Sequence, residues 1–68
     1  MDPVSTCKSI LEKIMAMYAD YFTDGKSIFD SVDIIKTKSI IVYITDPNMP
    51  EEIIDEIKKY YKVIQNYS

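Results

Sequence analysis

Hydrophobic positions recur along this chain with a period that changes between segments. From Val4 they fall at Val4, Cys7, Leu11, Ile14, Tyr18 and Tyr21, three or four residues apart, with Ile10, Met17 and Phe22 widening the stripe. Lys8, Glu12, Lys13 and Asp20 lie off it. That spacing lines one face of an α-helix. Asp2 supplies an N-cap, and Pro3 fits the first helical position, where its missing N–H does no harm. The pattern predicts a helix of about 20 residues, roughly 30 Å long. Gly25 in Thr23-Asp24-Gly25-Lys26 is the chain's single glycine and is expected to close it in a left-handed conformation.

The most apolar stretch is Ser39-Ile40-Ile41-Val42-Tyr43-Ile44-Thr45. Side chains branched at Cβ lose rotamer freedom in a helix and pack well on a pleated surface, so this reads as a strand. Ile40, Val42 and Ile44 then face one way, and Ile41, Tyr43 and Thr45 the other. Both faces are apolar, which suits an interior strand with a neighbour on each edge. Ser31 to Lys36 is expected to be one neighbour, with Val32 and Ile34 inward and a turn at Thr37-Lys38. A competing helical pattern runs through Ile28, Phe29, Val32 and Ile35, where Ser27 and Asp30 imitate a weak capping box. The strand is preferred, because a lone strand leaves its ladder hydrogen bonds unmade.

Asp46-Pro47-Asn48-Met49-Pro50-Glu51 ends the strand and starts a second helix, with Asn48 as expected N-cap and Glu51 completing a capping box. Ile53, Ile57, Tyr60, Ile64 and Tyr67 form its stripe, widened by Ile54, Tyr61 and Val63. Glu51, Glu52, Asp55 and Glu56 fill its start and Lys58, Lys59 and Lys62 its later turns, which suits the helix dipole and offers an Asp55 to Lys59 pair.

The expected fold is thus α+β: one small two-layer α-β-β-α domain over residues 1–68, an antiparallel hairpin packed under two amphipathic helices. Two helices with axes 8–10 Å apart cover more width than two strands about 4.8 Å apart. A second copy pairing along Ile40, Val42 and Ile44 would complete a four-stranded sheet, so a homodimer is expected. Its size points the same way, since a 68-residue chain with a single cysteine has no disulfide staple.

Composition narrows the chemistry. The chain has no His and one Cys, so no metal quartet and no imidazole-activated nucleophile can be assembled, and Cys7 reads as a buried structural thiol. No enzyme activity and no cofactor are expected. Gly25-Lys26-Ser27 resembles the end of a phosphate-binding loop, but Asp20 stands where the first glycine belongs and a helix precedes it. Asp24, Asp30 and Asp33 lack the spacing of a calcium loop. No apolar run reaches the roughly 18 residues that span a bilayer, and no signal peptide pattern opens the chain, so a cytoplasmic protein without membrane contact is expected, in a host cytoplasm if viral. Asn and Gln number three and Arg is absent. The scarcity of these amides fits a thermophile, viral or mobile-element source, while an AT-rich genome also produces the chain's abundance of Ile, Lys and Tyr.

Binding is what remains. Ile41 and Tyr43 would form an apolar-aromatic patch if the helices cover the opposite face, suiting a protein partner. Lys36, Lys38, Lys58, Lys59 and Lys62 are candidates for contacting nucleic acid, against a net charge of −3 and the absence of Arg. The expectation is a small non-catalytic homodimer that binds a macromolecule, with a nucleic-acid-binding regulator as the alternative.

Overall fold

The computed structural model describes residues 2–66. Helix α1 spans Pro3–Met17, strand β1 Val32–Lys36, strand β2 Ile40–Ile44, helix α2 Glu51–Lys58 and strand β3 Lys62–Gln65, with a short 3-10 turn at Ile28–Asp30 before β1. The sheet has three strands in the order β1-β2-β3. β1 runs antiparallel to β2, with Val32 opposite Ile44 and Lys36 opposite Ile40. β3 runs parallel to β2, with Lys62 opposite Ile41 and Gln65 opposite Ile44. A parallel neighbour requires a crossover, and α2 supplies it.

Both helices lie on one face of this sheet. Cys7, Leu11 and Ile14 of α1 and Ile53, Ile54 and Ile57 of α2 bury against Val32, Ile40, Val42 and Ile44, and Ile28 and Met49 close the core. The alternation along β2 is as expected: Ile40, Val42 and Ile44 are buried and Ile41 and Tyr43 half-buried. The hairpin is also as expected, with Val32 and Ile34 inward. The competing signal in the preceding segment has its own meaning. Ser27 and Asp30 do form a capping box, on the single 3-10 turn rather than on a helix.

The second helix differs most from expectation. It stops at Lys58, through a tightened turn in which the Tyr60 and Tyr61 N–H groups both donate to the Ile57 carbonyl, 3.0 Å each. Beyond it the chain extends into β3. The stripe expected through Tyr60 and Ile64 is therefore broken: Tyr60 is 54% exposed, Val63 packs on the core, and Ile64 points to the opposite face of the sheet. Tyr67 lies outside the described residues. The cause is the unfilled edge of β2, whose backbone groups gain a ladder when residues 62–65 extend beside them. β2 is thus paired on both edges within one chain, and the seam expected along Ile40, Val42 and Ile44 is occupied by β3.

Smaller differences follow from the same packing. α1 has 15 residues rather than about 20 and ends with Tyr18, at φ −115° and ψ 43°. Fifteen residues already reach about 22 Å, against about 17 Å for a five-residue strand, so the chain turns once it has crossed the sheet. Gly25 does not cap this helix. It follows Asp24 in a turn where both have positive φ, 55° and 78°, closed by the Lys26 N–H on the Thr23 carbonyl at 3.0 Å. Asn48 does not cap α2; Pro50 holds that position, while the Asp46 carboxylate accepts from the Asn48 N–H at 2.9 Å. Lys59 pairs with Glu56 at 3.1 Å instead of with Asp55.

Candidate binding surface

The core leaves the sheet face turned away from the helices unused. Strand alternation and the two registers place on it Asp33 and Ile35 from β1, Ile41 and Tyr43 from β2, and Lys62 and Ile64 from β3. They form two rows across the strands, Asp33–Tyr43–Ile64 and Ile35–Ile41–Lys62. Ile35 is 39% exposed and Ile64 37%. The apolar members thus run diagonally across the sheet, with the carboxylate and the ammonium at opposite corners. Sequence reasoning had Ile41 and Tyr43 and missed Ile35 and Ile64. Ile35 lies in the expected strand on the side away from Val32 and Ile34 and was not carried into the patch, and Ile64 belongs here only because residues 62–65 form a strand.

The lysines are brought together by the crossover. β1 ends at Lys36, the turn carries Lys38, α2 ends at Lys58 with Lys59 as its cap, and β3 begins at Lys62 beside Ile41. Because β3 is parallel to β2, all five lie at the end of the sheet where β2 begins. A helix continuing to residue 67 would have carried Lys62 away from that end. The other pole collects carboxylates: Asp30 precedes β1, Asp46 follows β2, and Glu51 and Glu52 open α2. The loop after α1 is tied to this pole, where Tyr21 donates its hydroxyl to Asp46 at 3.1 Å and Lys26 stacks over the Tyr21 ring at 4.2 Å. A net charge of −3 therefore conceals a molecule with poles of opposite sign.

Few side chains here have displaced titrations. Asp2, exposed at the start of α1, is held below the usual carboxylate range by the Val4 N–H and the Ser5 hydroxyl, and more weakly by the charge of Lys36. Lys59 is pushed up by its hydrogen bond to Glu56. Burial pushes the Cys7 thiol up, with a hydrogen bond to Tyr61 opposing it, and burial likewise raises Tyr61 and Tyr21. The buried thiol was legible in the helical spacing of Cys7, which is fully covered. Among the described residues no three Cys, Asp or Glu side chains converge as a metal site would require. A broad open hollow of about 600 Å³ along α1 is lined by Ser5, Thr6, Ser9, Ile10 and Lys13, all from one helix. No helix among the described residues is long and apolar enough to cross a membrane.

Comparison with protein-family models, with curated proteins and with solved structures finds no match.

Proposed function

We propose that this chain is a small non-catalytic interaction protein that lays a macromolecular partner across the open face of its sheet. The observation that carries the reading is the placement of both helices on one side, which leaves Ile35 and Ile64 exposed on the other, with Ile41 and Tyr43 half-buried between them. Apolar and aromatic side chains clustered on a rigid sheet are what a docking surface needs, since few rotamers are lost when a partner covers them. The polar groups on this face are few, a carboxylate and an ammonium at opposite corners with the Tyr43 phenol between them, which suits docking better than catalysis.

The expected homodimer keeps a place in this reading but loses its first argument, because β3 fills the edge of β2. A second copy would pair along the outer edge of β1 or β3, or lie on the open face itself. Site-specific photocrosslinking separates these cases. A photoreactive phenylalanine analogue at Tyr43, irradiated in extract of the source cells, is expected to give a discrete adduct that the same group at Lys8 on α1 does not. An adduct of the chain with itself would identify a second copy as the occupant. Equal labelling from both positions, or none from position 43, would overturn the proposal.

A further inference from the structure

We infer that the partner on the open face is a single-stranded nucleic acid, its phosphates held at the lysine pole and a base stacked on Tyr43. The inference rests on the open-face reading and adds a partner class to it. Its first support is charge. Five of the chain's eight lysines converge where β2 begins. Among the described residues carboxylates stand near them too: Glu56 is largely buried and engaged by Lys59, Asp55 lies one turn before Lys58 on α2, and Asp2 at the start of α1 feels the charge of Lys36. Lys58 and Lys59 also answer the dipole of α2, and Lys36, opposite Ile40, starts from the helix side of the sheet and acts on Asp2, whereas Lys38 and Lys62 have no such duty within the fold; all three of Lys36, Lys38 and Lys62 are exposed. A polyanion complements this pole, and the acidic pole repels it, so the field orients an approaching strand lysines first.

The second support is continuity between that pole and the apolar face. Lys62 is itself on the open face, in the row of Ile35 and Ile41, and Tyr43 is in the next row. A phosphate at Lys62 thus leaves its neighbouring base within reach of the Tyr43 ring. Aromatic stacking of this kind accepts any base, and lysine charge accepts any phosphate, so little sequence preference is expected. Bases paired in a duplex have no free face to offer Tyr43. An acidic protein would satisfy the lysines while leaving the need for a flat aromatic ring unexplained.

The test is fluorescence anisotropy with a labelled mixed-sequence single strand of about ten nucleotides, as DNA and as RNA, against the whole chain over a salt series. Binding is expected to weaken with salt at a slope of about −2 in log K against log salt, as for three phosphates on a single strand. Lys36→Glu, Lys38→Glu and Lys62→Glu together should weaken it more than tenfold, and Lys26→Glu at the opposite pole should not. Tyr43→Ala should weaken it by about five- to a hundredfold, the loss of one stacked base, while Tyr43→Phe retains it. Circular dichroism confirms that each variant is folded. No anisotropy change at 100 μM protein and low salt, duplex binding as tight as single-strand binding, or indifference to Tyr43→Ala would each overturn the inference. A photoadduct at position 43 with a protein and no oligonucleotide binding would overturn it and leave the open-face reading standing.

Discussion

Four side chains in and around the core hold their protons more tightly in the folded chain than free in water: Cys7, Tyr61 and Tyr21, raised first by burial, and Lys59, raised by Glu56. A group whose folded value is raised contributes stability that is fully present below its unfolded value and is lost as the pH climbs through the folded one. All four act in the same direction. With no histidine, no side chain of ordinary pKa titrates near neutrality. The urea midpoint is therefore expected to be level from about pH 6 to 8 and to fall above roughly pH 8.5, the ordinary thiol value. A midpoint that rises or stays flat from pH 9 to 11 would contradict this. Cys7, Leu11 and Ile14 could be read as core from the spacing of α1, because helical period fixes which side chains share a face. The pairing of Tyr61 with Cys7 could not, since it depends on where the chain goes after α2.

At the scale of elements, the C-terminal segment separates two accounts of the same residues. Tyr60 to Gln65 carries apolar side chains at spacings that fit a helix and also alternate as a strand, and α2 ends without a glycine or proline to mark it. Only the unfilled edge of β2 decides between them, and that is a tertiary fact. Paired substitutions read the outcome. Val63→Lys places a charge against the core and is expected to cost about 2–3 kcal/mol or more, whereas Ile64→Lys, on the open face, should cost less than about 1 kcal/mol. Equal losses in thermal melts would argue for a buried helical stripe. The hairpin and the start of α1 were legible because their signals are local: alternation in β1 and β2, and an aspartate before a proline, whose carboxylate accepts from the Val4 N–H. The end of α1 was not, because the length of the strands it covers sets it rather than any stop signal.

For the molecule as a whole, the comparison of widths in the sequence reading called for a strand beyond the hairpin and sought it in a second chain. The missing strand is the chain's own β3, and this one change reorganises the surface. It closes β2, gives a parallel crossover that gathers the lysines at one pole, and adds Ile64 to the diagonal of Ile35, Ile41 and Tyr43. The open face was legible in part from Ile41 and Tyr43 because strand alternation separates them from Ile40 and Val42. Its extent and its charged corners became visible only with the third strand. The account rests on this face being bare in the isolated chain. Alkylation of Ile64→Cys by iodoacetamide measures that directly, with the covered Cys7 as the internal reference. Fast reaction at position 64 beside a protected Cys7, slowed when the single-stranded oligonucleotide is added, is the expected result. Reaction at position 64 as slow as that of Cys7 in the free protein would mean the face is already covered, and the account would be wrong.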